Sequence, residues 1–237
     1  LLAKTFKTAK KFAPLPKEKR YTLQTTPQNE VIIAPYNAKN IYMVQFHNEN
    51  KEWNPNDAAK ISLFNEYFGG GMNAIVFQEM REARALAYTA SASYHMPNRL
   101  GDKDYFNTFI ITQNDKMMDC IAQFNELLNN MPVRLANFDL AKQNLLKSLA
   151  STRTTKFSIL SAYMNAQKMG LNCTLSEKIY NDLPSVTFDD IINFEKTNIG
   201  HKTFKYLILG DEKELDMKAL EKIAPIKRVT TEEIFGY

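Results

Sequence analysis

Phe64-Asn65-Glu66-Tyr67-Phe68-Gly69-Gly70-Gly71-Met72, continued by Phe77-Gln78-Glu79-Met80-Arg81-Glu82 and then Leu86-Ala87-Tyr88, reads as helix, glycine break, helix and strand. Asn54 is a side-chain cap for the first helix with Pro55 in its first turn, and Ile61, Phe64 and Phe68 form its apolar stripe. Gly69, Gly70 and Gly71 end that helix by supplying left-handed or closely packed backbone, and Asn73 restarts a second one. Val76, Phe77 and Met80 aim the second helix at a core, which turns Arg81 and Glu82 to another side of the cylinder. From Tyr88 the period changes to two. Arg81 and Tyr88 therefore stand at a helix-to-strand corner.

Before this block, Glu30-Val31-Ile32-Ile33-Ala34-Pro35 and Ile41-Tyr42-Met43-Val44-Gln45-Phe46 read as strands joined through Asn37 to Asn40, the pattern of a hairpin. After it, Ala87 to Tyr94 alternates, with Tyr88, Ala90, Ala92 and Tyr94 on one face, and Tyr105 to Thr112 alternates again. From Asp115 the period is helical. Met118, Ile121 and Phe124 mark one helix, Phe138, Ala141, Leu145 and Leu149 a second, and Phe157, Leu160 and Met164 a third. Thr187 with Asp190 forms a capping box, and Val186 is placed to staple against Ile191. Tyr206 to Leu209 is a late strand, Asp211 to Leu220 a last helix, and the tail after Pro225 is weakly specified. Strands early, helices in the middle and one strand returning late predict an α+β domain: a mostly antiparallel sheet with helices packed on one face.

At 237 residues and 44% hydrophobic content the chain can bury one sizeable core. The net charge of +4 is unevenly spread: residues 1 to 20 hold seven Lys/Arg against Glu18, leaving 23 basic and 25 acidic residues elsewhere. A head of that kind, with Phe6, Phe12, Pro14 and Pro16, reads as a basic linker or tail over residues 1–22, and residues 23–237 as a single domain. A nucleic-acid arm is the competing reading of the head, but no RNA-recognition strand motif accompanies it. No apolar run is long enough to span a bilayer, and no signal-type segment appears, so the chain is expected to be a processed product or a piece of a longer polypeptide. Cys120 lies in a helical apolar pattern and Cys173 follows a helix stop at Gly170. A disulfide between them stays open, and they lack C-x-x-C spacing.

The motifs of common catalytic machinery are missing. His47, His95 and His201 are isolated, with no spacing that sets two imidazoles and a carboxylate on one helical face. The glycine run has no following Lys-Ser/Thr and lacks the spacing of a phosphate-binding fingerprint, so close packing between two helices explains it better. No G-x-S-x-G elbow is present. Taken alone, Arg81 would be half of an exposed pair with neighbouring acids, and Tyr88 the first member of the apolar strand face shared with Ala90 and Ala92.

The ordered set of glycine turn, Met80-Arg81-Glu82 and Leu86-Ala87-Tyr88 resembles the non-catalytic halves of pitrilysin/insulinase-type (inverzincin) zinc metallopeptidases, a group that also includes mitochondrial processing peptidase and respiratory core subunits. The resemblance departs from the usual pattern at Asn73-Ala74-Ile75-Val76 and at Ala85, where the family commonly has Gly. It implies a domain that binds no cofactor, is inactive alone and works against a zinc-bearing H-x-x-E-H domain in the same polypeptide or a sister subunit. It further implies that Arg81 and Tyr88 contact the backbone of a peptide or unfolded protein substrate. A bacterial periplasmic or envelope setting is expected from the resemblance alone. The alternative is a non-proteolytic scaffold homologue of the same fold.

Overall fold

The structure is a computed structural model describing residues 13–14, 16–17 and 21–236, so most of the basic head of residues 1–22 lies outside the described residues. In chain order the strands are β1 (Glu30–Pro35), β2 (Asn40–His47), β3 (Thr89–His95), β4 (Tyr105–Gln113), β5 (Lys205–Gly210) and β6 (Ile226–Arg228). They make one sheet in the order β3-β4-β2-β5-β1-β6. The pairings β3–β4, β4–β2 and β2–β5 are antiparallel, while β5–β1 and β1–β6 are parallel. The expected β1–β2 hairpin is therefore not formed. β5 is apolar on both faces and slots between the two, its Gly210 carbonyl accepting from Tyr36 N at 2.9 Å. A four-residue connection is compatible with neighbouring strands or with strands one position apart, and only the distant β5 decides.

The helices are α1 (Ala58–Phe64, continued by a π-helical turn Asn65–Gly69), α2 (Ile75–Phe77, continued by a π-helical stretch Gln78–Ala83), α3 (Met117–Asn129), α4 (Leu135–Ser151), α5 (Lys156–Lys168), α6 (Leu175–Asp182), α7 (Phe188–Asn198), α8 (Met217–Ile223) and α9 (Thr231–Phe235). The strands alternate cleanly. Val31, Ile33, Ile41, Met43, Ala90, Ala92, Tyr94, Phe106, Ile110, Tyr206 and Ile208 are buried beneath the helices, with their neighbours on the other face at least partly open. Phe64 stacks on Phe68 at 5.1 Å and meets Phe194 at 5.5 Å, tying α1 to α7. Asn54 caps the short turn Pro55–Asp57 that leads into α1, and the Thr187/Asp190 box with buried Val186 and Ile191 starts α7 as the residue pattern requires.

Only one of the three glycines in the break is needed for close approach. A Cβ on Gly69 would lie 1.8 Å from the carbonyl oxygen of Ala92, whereas Gly70 and Gly71 face open space and none of the three has positive φ. The tight contact is with strand β3, not between two helices as expected. Beside it, Asn65 donates Nδ2–H to Tyr94 O at 2.9 Å and accepts from Tyr94 N at 2.8 Å, so a side-chain amide closes part of the β3 edge that would otherwise invite another strand.

Three further expectations need correction. Helix α2 begins at Ile75 after Ala74 rather than at Asn73, and α8 begins at Met217, capped by Asp216, rather than at Asp211. Helix α5 forms, but its Phe157, Leu160 and Met164 stripe faces outward. Both cysteine thiols are free, with Cys120 buried in α3. Among the described residues no helix is long and apolar enough to cross a membrane.

Candidate functional site

The corner that carries Arg81 and Tyr88 is built by π-helical backbone. When hydrogen bonds run from i to i+5, residues five apart come onto one face, and Glu79 meets Arg84 in this way. The Glu79 carboxylate also takes Arg134 at the entrance to α4, so an almost buried acid ties α2 to the next layer through two guanidinium groups. Burial raises its affinity for a proton, but the hydrogen bonds from Arg84 and Arg134 prevail and hold the carboxyl below its ordinary value.

The chain then turns sharply at Ala85, whose φ of 49° is left-handed. Two carbonyls of this turn are satisfied by side chains. Leu86 O accepts from Thr112 Oγ1 at 2.5 Å and from Cys120 Sγ at 3.3 Å, and Ala85 O accepts from Lys116 Nζ at 3.0 Å. Tyr88 N donates to Ile111 O at 2.9 Å, fixing the start of β3 against β4.

On this base Arg81 lies between two rings, its Cζ 5.2 Å from the centre of Phe77 and 5.3 Å from that of Tyr88. Its Nη1–H donates to Tyr88 O at 3.1 Å, and its Nε stands 3.8 Å from Glu82. The exposed ion pair read for Arg81 alone exists, yet it is only one of four contacts. Tyr88 is 74% exposed rather than a buried member of the strand face, and the Arg81 side chain is 44% exposed. The two groups are thus brought together, oriented and open. Neither lines the larger clefts of the described residues.

Thr89, next to Tyr88, begins a row on the uncovered sheet face that crosses Ile111, Tyr42 and Leu209. The adjacent row carries Ser91, Phe109, Val44, Leu207 and Ile32. This face is mostly apolar, and its Lys205 is paired with Glu30 at 3.3 Å.

The three histidines are each engaged in other surroundings. His47 is buried, with Nδ1 2.7 Å from Thr203 O, and burial lowers its pKa despite that carbonyl and Glu49. His95 stacks on Tyr105 at 4.4 Å, and His201 occupies a left-handed turn. Among the described residues no three His, Cys, Asp or Glu side chains approach closely enough to hold a metal ion. The residues present do not fit zinc.

Sequence reasoning placed Arg81 and Tyr88 at one corner, where the structure brings them together, but it did not single out Gly69 or its contact with β3. It missed Glu79 and Phe77 as supports. Glu79 to Arg84 is a five-residue spacing, which a 3.6-residue period places on different faces, so an α-helical reading does not pair them.

The described residues form a helix-covered sheet whose uncovered face ends at the Arg81–Tyr88 corner. A family model described as the peptidase M16 inactive domain matches residues 1–145. The chain belongs to that family as an inactive domain. Comparison with curated proteins returns no match. Among solved structures, a peptidase M16 inactive domain from Pseudomonas fluorescens is 16% identical with a TM-score of 0.66, covering 81% of this chain and 46% of that one. A protease from Helicobacter pylori is 12% identical with a TM-score of 0.68, covering 87% and 50%. Pitrilysin is 14% identical with a TM-score of 0.55, covering 88% and 22%. At these identities the structures share the fold, and this chain spans half of their length or less.

Proposed function

We propose that this chain is the substrate-binding, non-catalytic half of a zinc metalloendopeptidase, which encloses peptides against a separate zinc-bearing domain. The observation that carries the reading is the Phe77–Arg81–Tyr88 stack: a guanidinium held by two rings and a carbonyl, with a phenol beside it, both open to an incoming chain. Nothing in the fold requires Tyr88 there, since its ring is largely exposed and its backbone alone pairs with β4.

In this role the Tyr88 hydroxyl donates to a substrate carbonyl oxygen as that oxygen gains charge, and Arg81 holds the neighbouring substrate backbone through its remaining N–H groups. The uncovered sheet face receives the rest of the peptide. Alone, the chain cleaves nothing. Assembled with the zinc-bearing domain, Tyr88→Phe is expected to lower turnover on the order of a hundredfold with assembly unchanged. Unchanged turnover rejects the assigned role, and an assembled protein that cleaves no peptide at all favours the scaffold reading.

A further inference from the structure

We propose that helix α5 is a docking surface for the zinc-bearing half, an inference that rests on the two-half reading above. Its inward side is narrow. Ser158, Ala162 and Ala166, spaced four apart, are the residues of the helix that turn toward the domain. The rest stands out: Phe157 is 92% exposed, Leu160 65%, Tyr163 57%, Ile159 56% and Met164 47%.

From Phe157 to Gln167 there is no charged side chain. Ser161, Asn165 and Gln167 interrupt this outward surface without adding charge, and aromatic residues and Met without charge are the composition of a buried interface centre. Thr155 and Ser158 cap the start of the helix reciprocally. It stands as a ridge, with a cleft of about 1140 Å³ on one flank, lined in part by Ile159, Tyr163, Leu171 and Tyr180. A second cleft of about 1100 Å³ on the other flank is lined in part by Met96, Ala162 and Leu175. Such relief suits interdigitation with another protein surface.

The choice of occupant follows from length and charge. The structures of this fold from Pseudomonas fluorescens and Helicobacter pylori contain about as much chain again as this one covers, 46% and 50% of them being matched, which supplies a covering domain on the same polypeptide. A lipid surface would ask for Lys and Arg along a polar face, and α5 has only Lys156 and Lys168 at its two ends.

The test mixes this 237-residue chain with a zinc-bearing H-x-x-E-H domain, taken from the same polypeptide or from a co-purifying sister subunit, and measures association by calorimetry and sedimentation. Phe157→Glu with Leu160→Glu is expected to weaken binding by about thirtyfold or more, and Leu160→Ala by about fivefold. Circular dichroism and the denaturation midpoint should stay unchanged because both side chains are outside the core. Association of the variants at wild-type strength overturns the α5 surface and leaves the two-half reading intact. No association by the wild-type chain overturns both. Self-association of the chain, or binding to anionic vesicles, that the Glu substitutions abolish while the two halves still pair assigns α5 to a second copy or to lipid, and overturns the proposal.

Discussion

Arg81 donates a hydrogen bond to the main-chain carbonyl of Tyr88 at 3.1 Å while its guanidinium lies over the Tyr88 ring. One side chain thereby sets both the backbone and the ring of the other, across the turn at Ala85. The phenol is aimed by its neighbour without being buried by it.

Arg81→Lys keeps the charge but loses the planar group that two rings and a carbonyl hold. On the proposed function, turnover of the assembly with a zinc-bearing domain is expected to fall about tenfold or more, with a denaturation midpoint close to wild type, because exposed pairs of this kind contribute under about 1 kcal/mol. Steady-state kinetics beside urea unfolding of the same sample reads both quantities. Wild-type turnover in the Lys variant removes Arg81 from the site.

Gly69→Ala is expected to destabilise the fold by about 3 kcal/mol, because the new methyl meets the Ala92 carbonyl and the backbone of α1 or β3 must retreat. Gly71→Ala faces open space and should instead stabilise by about 0.5 kcal/mol through the unfolded chain. Equal effects at the two positions, measured by chemical denaturation, contradict the packing argument.

Ala85 occupies a left-handed conformation at φ 49° that its Cβ disfavours. Ala85→Gly is expected to raise stability by about 0.5 kcal/mol, the relief of strain exceeding the extra freedom of glycine when unfolded. A lowered denaturation midpoint would show that the turn is not strained.

Glu195 is buried in α7 with Oε1 unpartnered, and burial pushes its carboxyl up to about 7 against the weaker pull of Lys196. Its folded pKa lies above the unfolded value of 4.5, so the folded state binds the proton more tightly. The resulting stability is complete below that unfolded value and is lost as pH rises through about 7. Glu195→Gln, neutral at every pH, should be more stable than wild type by about 2 to 3 kcal/mol at pH 8 and equal to it near pH 4. Parallel stability curves for the two proteins across that range refute the shifted carboxyl.

How much was legible varies by element. The strand alternation at Ala90, Ala92 and Tyr94, the Thr187 cap and the Arg81–Tyr88 corner could all be read along the chain, because each depends on residues within a few positions of one another. The insertion of β5 between β1 and β2 could not, since the partners lie far apart in sequence and local turn length permits either arrangement. Helix α5 shows the same limit from another side: its period of Phe157, Leu160 and Met164 announced a helix with an apolar stripe, but not whether this domain or another covers it.

The amino-acid order by itself determined most of the element types, the helix break at the glycine run and the absence of a zinc motif, all of which follow from local backbone and side-chain chemistry. Tertiary structure alone decided that Gly69 abuts Ala92, that Glu79 clamps Arg84 and Arg134, and that Tyr88 stands exposed at a sheet edge. These are contacts between surfaces meeting in three dimensions. Their energies depend on distances that no periodicity along the chain encodes.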